Sequence, residues 1–103
     1  MSMGSTQPFR ASGTAQLAAG TSSGNVRLVG GGEAVLVYNA TATVAFVRFG
    51  TDATLVATVS DTPVPPSGRM LLHAGGPFVT TAAAVLGGGS GSVFFTRGEG
   101  TVY

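Results

Sequence analysis

Val44-Ala45-Phe46-Val47-Arg48-Phe49-Gly50-Thr51 decides how the rest of the chain reads. Apolar residues recur at every second position, the period of a β-strand. Ala45, Val47 and Phe49 fall on one face, and Phe46 and Arg48 on the other. A shorter echo, Ser92-Val93-Phe94-Phe95-Thr96-Arg97-Gly98, stands near the C-terminus. In both, an aromatic-containing run leads to Arg and then Gly. Adjacent residues of a strand point to opposite faces, so one of Phe94 and Phe95, and one of Phe46 and Phe49, lies off the core of a two-sheet sandwich.

Further strands are expected on either side. Residues 14–18 make a short one, followed by the turn cluster 20–24. Residues 25–29 place Val26 and Leu28 opposite Arg27. In 33–39, Val35 and Val37 oppose Leu36 and Tyr38, an apolar pattern on both faces that suits a central strand or one covered by a partner. Residues 54–60 alternate with Leu55, Ala57 and Val59 inward, and the runs 33–39, 44–51 and 54–60 read as a meander. Three prolines within residues 63–66 exclude a central strand from 61–68, which reads as a stiff extended loop offering its backbone edge to a partner. Residues 69–73 and 92–97 are strands. Residues 78–86 read as a strand or as a turn between strands, despite an Ala run that helix would tolerate. Turn signals about every eight to twelve residues, with seventeen glycines, give an all-β fold: a single small antiparallel β-sandwich or jelly-roll-like domain over 14–103. Residues 1–13 read as an extended N-terminal arm, disordered in isolation or laid on a neighbour.

Composition narrows the function classes. Charged residues are 9% of the chain, against roughly 25% in an ordinary soluble domain. The formal net charge is +1, and the five basic residues are all Arg. So little charge lowers the cost of covering the surface with neighbouring subunits, and Arg suits interface ion pairs and stacking. The competing picture is a monomer coated in Ser, Thr and Gly. No cysteine is present, which excludes disulfides and thiolate metal sites. The longest apolar run is too short for a membrane span, no signal peptide is read, and no basic cluster marks a nucleic-acid groove.

Candidate chemistry is sparse. Gly20-Thr21-Ser22-Ser23-Gly24 matches the Gly-x-Ser-x-Gly elbow, but a strand is expected to follow it where the elbow requires a helix. His73 is the only histidine, and Glu33, Asp52, Asp61 and Glu99 are scattered. No metal, catalytic or cofactor set is read from them, and the chain is not expected to be an enzyme. The triglycines at 30–32 and 87–89 lack the Lys-Ser/Thr of a phosphate loop. Asn39-Ala40-Thr41 is formally a glycosylation sequon, read as accidental.

Four features in order resemble a known family: Asn39 ending a strand, Phe46-Val-Arg-Phe-Gly50, Asp61-Thr-Pro-Val-Pro-Pro-Ser-Gly68, and Phe94-Phe-Thr-Arg-Gly-Glu-Gly100. Together, across about residues 35–101, they resemble small virion proteins of tailed bacteriophages and of the related gene transfer agents. These are head spike bases, decoration proteins and cement proteins. The resemblance implies a non-enzymatic structural protein made in the bacterial cytoplasm and carried on the capsid surface of the virion. Its partners would be other copies of itself, the major capsid protein and a spike or fibre protein. A spike base attaching a fibre is the first expectation, and a cement trimer the alternative. A carbohydrate- or receptor-binding sandwich is the competing class. The oligomer and capsid contacts are expected at Phe9, Arg10, Phe46, Arg48, Phe49, Phe94, Phe95 and Arg97.

Overall fold

The computed structural model describes residues 8–74 and 79–101. Eight strands run in the order β1 (Arg10–Ala19), β2 (Gly24–Arg27), β3 (Ala34–Asn39), β4 (Ala45–Gly50), β5 (Thr62–Val64), β6 (Arg69–His73), β7 (Thr81–Leu86) and β8 (Gly91–Glu99). They form two four-stranded antiparallel sheets, β1-β8-β3-β6 and β2-β7-β4-β5. Pairing the first strand with the eighth, the second with the seventh, and so on across both sheets is the connectivity of a jelly roll.

The core lies between the sheets, and strand parity decides who enters it. Ala15, Phe95, Val37 and Met70 are paired in register across the first sheet and face inward. From the second sheet, Ala45, Val47 and Phe49 meet them. Phe49 and Phe95 touch edge to face across the interface, ring centroids 6.1 Å apart and planes at 83°. Such a pair contributes about 0.5–1.5 kcal/mol beyond its buried area. Burial of Phe95 itself is complete and stabilises by about 1.5–3 kcal/mol.

β7 occupies the middle of the second sheet, and all six of its residues are buried. Ala82, Ala84 and Leu86 face the core, while Ala83 and Val85 face outward beneath a loop formed by residues 51–61. Small side chains serve on both faces because both faces are covered, which accounts for the alanine run. β5 sits at the sheet edge, where Pro63 opposes Phe46 and its missing N–H is tolerated.

Several expectations change. Residues 54–60 are not a strand. Two turns, closed by Leu55 N–H to Asp52 O at 3.1 Å and Asp61 N–H to Thr58 O at 3.0 Å, fold the segment into a flap. The meander fails as well, because β3 and β4 belong to different sheets. The 61–68 loop contains β5 and directs much of its backbone inward. Val64 O and Pro65 O accept from Asn39, and Gly68 O accepts from the Asn39 N–H. Residues 10–13 belong to β1, paired with β8 through Arg10↔Glu99, so the sandwich begins before Thr14. Of the rest of the expected arm, Pro8 and Phe9 lie along the end of β8, and residues 1–7 are outside the described residues, as is Phe78.

Two buried polar side chains hold the ends of the sandwich. Asn39 continues the inward row of Val35 and Val37 and is fully buried. Its amide donates to Thr43 O (2.8 Å), Val64 O (3.1 Å) and Pro65 O (3.2 Å), and its Oδ1 accepts from the Thr41 N–H (3.0 Å) and hydroxyl (2.6 Å). One side chain thus fixes both the β3–β4 and β5–β6 connections. An amide so engaged and buried is closed to a glycan. At the other end, Arg97 continues the inward row of Val93 and Phe95 and is 3% exposed. It donates from Nε to Gly32 O at 2.7 Å and from Nη1 to Val79 O, tying together the segments that lead into β3 and β7. Gly32, at φ 113°, passes against the Gly98 backbone so closely that a Cβ there would collide with it.

Candidate functional site

The sequence reading points to the outward faces of the sheets. On the β1-β8-β3-β6 sheet, the row Gln16–Phe94–Tyr38–Arg69 is paired in register across four strands, and Thr14–Thr96–Leu36–Leu71 lies beside it. Tyr38 and Phe94 stack with centroids 6.0 Å apart and planes at 20°. Polar groups frame the apolar centre. Thr14 and Thr96 share a hydroxyl–hydroxyl bond of 2.9 Å, and Gln16 Nε2 donates to Ser92 Oγ at 2.9 Å. At the Tyr38 end, Ser67 and Arg69 join Tyr38 around a shallow hollow of about 320 Å³. Ser67 stands at φ 54°, the left-handed position of a turn closed by Gly68 N–H to Pro65 O (3.0 Å), with Pro66 before it.

The outer face of the second sheet is different. Residues 51–61 lie across it, with Leu55 and Ala57 packed on Phe46, Ala83 and Val85. Polar ties fasten the flap. Asn25 Nδ2 donates to Leu55 O (3.2 Å), and the Ala57 N–H donates to Ser23 Oγ (2.8 Å). Arg48 reaches Val56 O from Nη1 (3.4 Å) and Asp61 Oδ1 from Nε (3.6 Å). Each of the two turns is capped by an aspartate. Asp52 accepts from the Thr54 N–H (2.9 Å) and hydroxyl (2.8 Å), and these bonds hold its carboxyl below the ordinary aspartate range. Asp61 Oδ2 accepts from the Thr58 N–H (2.8 Å). The flap's own outward side carries Val56 and Val59, 55% and 69% exposed.

The eight expected contact residues therefore divide. Phe95 and Arg97 are buried and Phe49 points into the core, so none of the three is placed to meet a neighbour. Parity carried this information: if Phe95 is core, Arg97 two residues on shares its face. Phe46 does lie off the main core, but it packs beneath the chain's own flap. Arg48 is exposed beside that flap. Phe94 is half-buried on the open face, and Arg10 is exposed opposite Glu99. Phe9 lies against the Gly98 and Gly100 backbone at the end of β8. Tyr38, Val56 and Val59 were not singled out as contacts. Tyr38 was legible as the outward partner of Leu36, whereas the two valines depend on the flap's unforeseen shape.

The chemistry-bearing motifs remain apart. Gly20–Gly24 leads into β2, and Ser22 is exposed in the connecting turn. His73 is exposed at the end of β6, and no group of three or more His, Asp or Glu gathers among the described residues. No helix among them is long and apolar enough to cross a membrane. Fold and surface together define an eight-stranded antiparallel jelly-roll sandwich with one open aromatic face and one face closed by its own flap. Compared with known proteins, the chain matches no family model, no curated protein and no solved structure.

Proposed function

We propose that this chain is a non-enzymatic structural protein of the virion head of a tailed phage or gene transfer agent. It works as a symmetric homo-oligomer that binds the major capsid protein and holds a spike or fibre. The observation that carries the reading is the Tyr38–Phe94 stack, set outward on a jelly-roll sheet in a chain with only 9% charged residues. Jelly rolls recur in capsid and lectin domains, and this face has the apolar centre and polar rim of a protein contact. The order of motifs from Asn39 to Gly100 supports the virion class over other users of the fold. Replacing the cement trimer for the spike base changes the symmetry axis occupied and leaves the chemistry of the subunit unchanged.

The glycan-binding alternative rests on the Tyr38, Ser67 and Arg69 hollow. It is weaker because Tyr38 and Phe94 stack on one another, leaving less free ring face for a sugar. Cryo-electron microscopy of particles from the producing strain, with and without this gene, tests the proposal. Density for an eight-stranded sandwich at a capsid symmetry axis, lost on deletion, is the expected result. Unchanged particles, or a glycan-array hit with no particle association, would overturn it.

A further inference from the structure

A sandwich of two open sheets has four edge strands, and each leaves every second N–H and C=O without a ladder partner. Here the edges are β1, β6, β2 and β5. Three of them carry features that keep a foreign strand away. β5 has three residues and Pro63, β2 has four residues and exposed Arg27, and β6 has Arg69 at one end and His73 at the other. β1 is the longest at ten residues, and no charged residue stands between Arg10 and Arg27. Register fixes which of its groups are free. The Ala40 N–H donates to Ser92 O, so Ser92, Phe94 and Thr96 bond toward β3, and Val93, Phe95 and Arg97 toward β1. Their partners are Leu17, Ala15 and Gly13, which leaves the backbone groups of Thr14, Gln16 and Ala18 pointing off the sheet. All three residues are exposed, and none of these N–H and C=O groups has a hydrogen-bond partner among the described residues. The open stretch is bounded at both ends. Gly30 lies against Ser12 and Gly13, and Gly20 turns the chain away toward β2. Val29, 50% exposed, borders the stretch beside Gly13.

From this we infer that two copies of the chain pair edge to edge through residues 14–18 of β1, antiparallel about a twofold axis at Gln16. The open stretch is centred on Gln16, so an antiparallel second copy fits it along its whole length. Gln16 then faces its own counterpart, and Thr14 faces the counterpart of Ala18. Each of these three residue pairs exchanges two bonds, about six in all. No charge on either strand opposes the approach, and the twofold dimer is the commonest closed symmetry. The two sheets become one of eight strands, and both Tyr38–Phe94 stacks stand on the same side of it, because the axis is perpendicular to the sheet. A contact five residues long is smaller than the roughly 800 Å² per partner of a standard interface. Pairing therefore depends on concentration unless a capsid gathers the copies.

Sedimentation velocity on the full chain, from low micromolar to about millimolar concentration, tests the contact. The mass of the wild type is expected to rise from 10.1 kDa toward twice that value and to grow no further. Amide exchange by NMR gives the register. The N–H groups of Thr14, Gln16 and Ala18 should exchange quickly in dilute solution and slowly in concentrated solution, while those of Ala15 and Leu17 stay protected in both. Gln16→Pro removes an N–H that the β1–β8 ladder does not use, and should pair about tenfold more weakly or worse. Gln16→Lys and Gln16→Glu keep the fold should the proline variant lose it by circular dichroism. Each alone sets like charges across the axis and should pair about two- to fivefold more weakly, and an equimolar mixture should pair more tightly than either. A wild-type monomer throughout, growth beyond the dimer, undiminished pairing by Gln16→Pro, or a charge mixture no tighter than its components would each overturn the β1 contact. The inference does not rest on the virion reading: a chain that fails here yet still occupies heads leaves that reading intact.

Discussion

Replacing Asn39 with Ala removes the side chain that joins two loops in the interior. Three backbone carbonyls, of Thr43, Val64 and Pro65, lose a donor, and the Thr41 N–H and hydroxyl lose an acceptor. The amide has two hydrogens for three carbonyls, so about four full bonds are lost, at about 1 kcal/mol each. The expected destabilisation is about 4 kcal/mol, a large share of the roughly 5–15 kcal/mol that holds a small domain. It corresponds to a fall in melting temperature of about 15–30 °C. Urea denaturation followed by circular dichroism measures it, and the midpoint should fall with little change in slope. A loss below about 1 kcal/mol would refute the role given to Asn39. Asn39→Asp adds a check on sign. A buried carboxylate facing carbonyl oxygens has its pKa raised on folding. That variant should be most stable below the unfolded aspartate value near 4, and should lose stability as pH rises from there toward the folded pKa.

Further consequences concern the other end and the flap. Arg97→Met keeps the apolar stem but leaves Gly32 O and Val79 O without the guanidinium, and should cost about 2–4 kcal/mol by the same assay. Leu55→Asp should free the flap, with a loss of about 1–1.5 kcal/mol from its half-buried side chain and faster proteolysis within residues 51–61. A flap still protected would contradict its packing on Phe46. Thr54→Val deletes one of the two bonds to Asp52 while keeping the backbone N–H. Its carboxyl pKa, followed by NMR, should move up toward the ordinary value but not reach it. A depressed folded pKa contributes stability above the unfolded value that is lost as pH falls through the folded one, so this variant's acid sensitivity should lessen.

Strand alternation made much of the architecture legible. Val35 and Val37, Ala45 and Val47, and Val93 and Phe95 all face inward as their two-residue spacing required. Their assignment to sheets was not legible, because a jelly roll sends successive strands to opposite layers and turn residues alone do not record which layer comes next. The alternation of Leu55, Ala57 and Val59 misled for a definite reason. Two aspartate-capped turns break the segment, while the first two side chains still find an apolar surface, here the outside of a sheet. Arg97 misled through its charge. A guanidinium reads as surface until two backbone carbonyls are found to hold it inside. Alternation required one of Phe94 and Phe95 to lie off the core without saying which; the structure turns Phe94 outward, and only the register of β3 and β8 brings it to its stacking partner Tyr38.

The most direct test of a head-surface role is to add the purified chain to capsids from a strain lacking the gene. Bound copies are then counted by sedimentation and located by cryo-electron microscopy. Saturable binding at one class of symmetry axis, with the jelly roll resolved there, is the expected result. Capsids that sediment without the chain at concentrations where it is folded would contradict the proposed function.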